Sequence, residues 1–142
     1  MGPVLFHTSF YIAALRAGDA AVVQLRRFSP TAPVWLSPIV LAELYAGVKP
    51  RDARIVERLE RDFERAQRIL VPNLRDWTQT AKVLSRLALK YGYERIGQSR
   101  LGNDALLAMS AARTGMTIIT VNARDFARLA EFRPFRWQLS LP

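Results

Sequence analysis

The chain has 142 residues, half of them hydrophobic, with no cysteine, a single histidine and a formal net charge of +9. This is enough for one folded domain spanning residues 1–142 with a real core, and it excludes disulfides, thiolate metal sites and His-rich zinc sites. No apolar run approaches the roughly 20 residues of a membrane span and the start is not that of a signal peptide, so a soluble, cytoplasmic protein without a membrane partner is expected. The only lysines are Lys49, Lys82 and Lys90, so the positive charge is nearly all arginine. A GC-rich genome accounts for arginine over lysine but not for the net excess. That excess suits nucleic-acid phosphate, to which arginine offers a planar, bidentate fork; an acidic protein partner would account for it as well.

In chain order, Val4-Leu5-Phe6 reads as a buried strand. Residues 8–16 and 19–28 read as a helical hairpin broken at Gly18 and Asp19, followed by a Pro-rich loop. Val34-Trp35-Leu36 is a short strand. Ser37-Pro38 then starts a helix, serine as cap and proline in the first turn, which ends near Gly47. Residues 51–68 are expected to form a charged helix with one apolar stripe at Ile55, Leu59, Phe63 and Ala66. Ile69-Leu70-Val71 is a candidate short strand. Residues 74–91 form a helix whose apolar stripe is predicted at Trp77, Ala81, Leu84, Ala88 and Tyr91. The polar run 97–100 reads as loop, Asn103 as a helix cap, and 104–114 as an apolar helix closed by Gly115. Met116–Val121 is a buried strand, 125–131 a short helix, and 136–139 an edge strand. Strands alternating with helices imply a mainly parallel sheet in a three-layer α/β/α sandwich, with ligands at the C-terminal strand ends.

Four side chains fall at such ends or in the turns that follow: His7, Glu43, Asp104 and Asp125. Glu43 is the only charge between Ser37 and Gly47. A carboxylate buried there needs a cation or a proton, unless it pairs with an arginine or lies on a narrow exposed edge. Asp104 opens the most apolar helix, where the helix dipole alone would favour an acid. Asp125 reads equally as the N-cap of the last short helix, and Asn122 suits the turn before it. Singly these signals are weak. Jointly, carboxylates converging at one sheet edge repel unless a divalent cation joins them, and hard oxygen ligands favour Mg²⁺ or Mn²⁺, ions that activate water for attack at phosphorus.

The four blocks carrying these residues are Leu5-Phe6-His7-Thr8-Ser9-Phe10-Tyr11-Ile12, Ser37-Pro38-Ile39-Val40-Leu41-Ala42-Glu43-Leu44-Tyr45-Ala46-Gly47, Asn103-Asp104-Ala105-Leu106-Leu107-Ala108, and Thr120-Val121-Asn122-Ala123-Arg124-Asp125-Phe126. In that order, over nearly the whole chain, they resemble the PIN domain, and more narrowly the VapC toxins of bacterial toxin–antitoxin pairs. The resemblance implies a Mg²⁺- or Mn²⁺-dependent endoribonuclease acting on structured RNA such as tRNA. It also implies a homodimer and a hetero-oligomer with a VapB-type antitoxin. It places Glu43, Asp104 and Asp125 among the acids that hold metal and carry catalysis, with Thr8, Ser37, Thr120 and Asn122 supporting the metal shell or the scissile phosphate. Arg100 and Arg124 lie close to these blocks.

The departure is His7, which stands where the family has its first aspartate. Histidine removes a negative charge and offers one nitrogen better suited to zinc, nickel or copper than to Mg²⁺; alternatively, as a cation, it forms an ion pair with Asp104 where the metal would sit. Either way metal binding weakens and activity falls. A disabled toxin and a degenerate paralogue both fit. Two further functions stay open: a non-catalytic module that binds RNA or an antitoxin without cutting, and a nuclease acting on DNA.

Overall fold

A computed structural model describes residues 2–18, 32–92 and 99–139. Four strands, β1 (Val4–Phe6), β2 (Val34–Trp35), β3 (Thr117–Thr120) and β4 (Arg136–Leu139), form one sheet in the order β2-β1-β3-β4, every pair parallel. In register, Val4 faces Val34 on one side and Thr117 on the other. The central strand β1 is buried throughout, as its wholly apolar sequence requires, whereas β4 at the edge is mostly exposed.

The helices are α1 (Thr8–Ala17), α2 (Pro38–Gly47), α3 (Ala53–Arg65), α4 (Leu74–Tyr91), α5 (Ser99–Thr114) and α6 (Ala123–Ala130). The first three pack in one set and the last three in another, which makes the expected three-layer α/β/α sandwich. Local chemistry sets several of the ends. Ser37 caps α2 by accepting from the Ile39 amide. Asn73 and Asp76 form a reciprocal capping box at the start of α4. Gly92 ends α4 at a φ of +105°, a conformation that glycine adopts without strain.

Several expectations shift. The predicted helix 19–28 lies outside the described residues. The charged stretch from 51 is a 3₁₀ turn, Pro50–Asp52, followed by α3, which stops at Arg65; Val56 is buried with Leu59 and Phe63, Ile55 only half so, and Ala66 is exposed. Ile69 makes a single parallel bridge to Leu36 rather than opening a strand, and Val71 is exposed. The strand predicted from Met116 to Val121 narrows to Thr117–Thr120.

The predicted limits of α4 are met, but its buried face is turned: Asp76, Thr80, Val83, Leu87 and Ala88 point inward, while Trp77 is 59% exposed. The physical reason is Asp76. Arg113 of α5 grips both its carboxylate oxygens, at 2.9–3.1 Å, and this fixes the rotation of α4. α5 starts five residues before the predicted position, so Ser99 and Arg100 are helical rather than loop, Asn103 is not a cap, and Asp104 lies inside the helix, beyond the reach of a first-turn dipole effect. α6 begins at Ala123, capped by Asn122 rather than by Asp125.

Candidate functional site

Strands β2, β1 and β3 run side by side and end together. Ser37, His7 and Thr120 therefore sit at neighbouring strand ends, the usual place for a site in an open parallel sheet. The His7 amide still donates to the Ile119 carbonyl at 2.9 Å, which continues the β1–β3 ladder and fixes where the side chain leaves. His7 is also the N-cap of α1, with extended backbone angles and no capping bond from its side chain. Its ring is therefore free to turn into the protein, where it packs nearly perpendicular to the Phe126 ring with centroids 5.3 Å apart.

There the ring reaches α5. His7 Nε2 lies 2.9 Å from Oδ1 of Asp104, and both residues are buried. A carboxylate oxygen only accepts, so Nε2 carries the hydrogen and donates it. On its other side Nδ1 meets the hydroxyls of Ser9 at 3.2 Å and Thr120 at 3.3 Å. Thr120 Oγ1 accepts from the Asn122 amide at 2.9 Å and so has its own hydrogen to direct elsewhere.

The other predicted residues sit around this centre in separate pairs. Thr8 donates to Glu43 Oε1 at 2.9 Å, joining α1 to α2. Asn122 Nδ2 donates to Asp125 Oδ2 at 3.0 Å. The Ser37 hydroxyl is occupied by its capping role. Arg100 and Arg124 are both exposed. The expected convergence of four corners is thus met only in part: His7 and Asp104 touch, with Thr120 beside them. Among the described residues no three His, Asp or Glu side chains come close enough to hold a metal ion together.

With His7 in place, that arrangement does not fit a divalent ion shared by the acids. Each acid already has a neighbour on one oxygen: His7 on Asp104, Thr8 on Glu43, Asn122 on Asp125. Asp104 Oδ2 is buried without a hydrogen-bond partner among the described residues. An unsatisfied buried carboxylate oxygen is costly, and its presence means that packing alone does not account for the residue. The contact itself joins residues 97 positions apart, which no local pattern in the sequence could announce. Sequence reading also passed over Asp76, a buried acid whose carboxylate serves the structure.

The PIN-domain family model matches residues 4–132. No curated protein sequence matches the chain. Among solved structures, VapBC2 from Rickettsia felis, bound to a DNA fragment of its promoter, is similar over 99% of this chain and 100% of its own, with a TM-score of 0.69 and 21% identity. DNA-bound VapBC from Salmonella typhimurium is similar over 98% of each chain, with a TM-score of 0.70 and 19% identity. FitAcB from Neisseria gonorrhoeae is similar over 94% of this chain and 95% of its own, with a TM-score of 0.59 and 22% identity. At such identities the shared property is the fold.

Proposed function

Because this chain belongs to the PIN-domain family, a family of nucleases, we propose that it is a VapC-type endoribonuclease toxin whose cutting activity is weak or absent in the His7 form. The observation that carries this reading is the 2.9 Å contact between His7 and Asp104 at the C-terminal edge of the sheet. An imidazole stands there against a buried acid that has one oxygen left over. RNA is the proposed substrate, structured RNA such as tRNA in particular, in keeping with the net charge of +9. Mg²⁺ or Mn²⁺ is the proposed cofactor of the form carrying aspartate at position 7, with Asp104, Glu43 and Asp125 as the accompanying acids.

The chain's own residues have clear tasks in this reading. Thr8 orients Glu43, Asn122 orients Asp125, and Thr120 fixes the edge of the His7 ring. The proposed partner is an acidic VapB-type antitoxin: the similar structures are VapBC toxin–antitoxin complexes, and a chain this basic attracts such a partner. A homodimer within that assembly, a single domain over residues 1–142 and a cytoplasmic location complete the proposal. No described helix is long and apolar enough to cross a membrane.

The test is His7→Asp. With Mn²⁺ or Mg²⁺ present, RNA cleavage should rise by roughly 10²-fold or more, since restoring a metal-site residue has effects of that order; chelation or a second change, Glu43→Gln, should remove it. A His7→Asp protein that cuts no RNA with either ion overturns the nuclease reading. A second reading, a binding module without catalysis, is favoured by the same His7–Asp104 contact, which occupies the acid that a metal would need. RNA or antitoxin binding by both forms, with cleavage by neither, would establish it.

A further inference from the structure

Beside Glu43 a cleft of about 500 Å³ runs along α1, α2 and the 3₁₀ turn that follows, a volume in the range that holds a small ligand. Its floor is apolar, from Ile12 of α1 and from Leu44 and Val48 of α2 and its C-terminal end. Arg16, Lys49 and Arg51 stand along its length, all three exposed. Neither Arg16 nor Lys49 makes an ion pair with another described residue, and Arg51 has only a loose one, 3.9 Å from Asp52. Glu43, which accepts from Thr8, the residue next to His7, also lines the cleft. The cleft therefore borders the strand-end site through Glu43.

We infer that this cleft seats one flanking nucleotide of a single-stranded RNA segment. Arg16, Lys49 and Arg51 take phosphate oxygens, and the floor of Ile12, Leu44 and Val48 takes an unstacked base. The choice of RNA rests on the nuclease reading above; the place rests on the cleft. Bases turned out of a helix are commonly held on apolar surfaces while cations follow the backbone. Two carboxylates, Glu43 and Asp52, line the same space, so binding there needs the three cations together rather than any one of them.

The experiment measures binding, not cleavage. The His7 chain as it stands, with chelator present, is titrated with fluorescent oligo-uridine at several salt concentrations. Replacing Arg16, Lys49 and Arg51 together with Ala should weaken binding by about tenfold or more and reduce the salt slope by roughly 1.4, at about 0.7 for each of the two phosphates that flank one nucleotide. Arg86→Ala, an exposed arginine on α4, should leave both unchanged. The charge reversal Arg51→Glu alone should weaken binding further than Arg51→Ala. All four positions are exposed, and a circular-dichroism melt confirms that the variants fold. Unchanged affinity and slope in the triple variant overturn the inference. So does a triple variant that loses binding of a poly-glutamate peptide yet keeps oligo-uridine, which would assign the cleft to an acidic protein segment. If His7→Asp fails to cut RNA while oligo-uridine binding still depends on the three cations, the nuclease reading falls and the cleft stands.

Discussion

Two buried aspartates on neighbouring helices differ in almost everything except burial. Asp76 on α4 is 2% exposed and Asp104 on α5 is 1% exposed. Asp76 accepts from Arg113 on both oxygens and from the Asn73 amide at 3.0 Å. Arg113 in turn is held above its ordinary pKa, chiefly by its hydrogen bonds to Asp76. Among the described residues Asp104 has one partner, the ring of His7, and an oxygen with none. An acid kept for structure is saturated with donors. The acid proposed for chemistry is left with an unmet acceptor, which costs stability.

The sharpest way to break this comparison is the His7→Asp change, which should turn the unsaturated site into one that needs a cation; gain of RNA cleavage with Mn²⁺ is the largest effect expected. Next comes stability. Arg113→Ala leaves Asp76 buried without its cation and should cost about 2–4 kcal/mol in denaturant unfolding, somewhat below the figure for a fully buried pair because the Arg113 side chain is about one-third exposed. Asp104→Asn keeps an acceptor for His7 and removes a poorly satisfied charge, so it should change stability by less than about 1 kcal/mol. Equal costs at the two positions would erase the distinction drawn between them.

The same logic applies to the two faces of α4. Trp77→Ala should cost less than about 1 kcal/mol because the indole is mostly in solvent, whereas Leu87→Ala, at a fully buried position, should cost about 2–5 kcal/mol. The smallest effect is at the far end of α4, where the Tyr91 hydroxyl and then Lys90 hold the exposed Glu131 below its ordinary pKa. A depressed folded value means stability that is present above the ordinary glutamate range and is lost as pH falls through the lower folded value. A small difference in thermal midpoint between the protein and its Glu131→Gln variant should therefore be full near neutral pH and vanish in acid.

Much of the fold was legible because several elements announce themselves locally. Val4–Phe6 is an uninterrupted apolar run and Thr117–Thr120 a wholly β-branched one, both suited to interior parallel strands, and Ser37-Pro38 and Gly92 punctuate helices by backbone chemistry. The rotation of α4 was not legible. Trp77 and Leu84 outweigh Asp76 in any apolar stripe, and only the distant Arg113 reverses the choice. The early start of α5 was hidden in the same way, by Ser99, Arg100, Gly102 and Asn103, which read as loop in composition yet continue the helix. At the site, the residue types and their strand-end placement could be read. Which of them would touch could not, since His7 and Asp104 meet through the β1–β3 pairing and the packing of α5 on that sheet.

The position of His7 has a genetic consequence. Histidine and aspartate codons differ only in their first base, and aspartate is the smaller residue, so one transversion would exchange them with no steric demand on Phe126 or Thr120. If the proposed chemistry holds, this copy stands a single mutational step from a form lethal to its host, and a population carrying it without an antitoxin would lose each revertant as it arose.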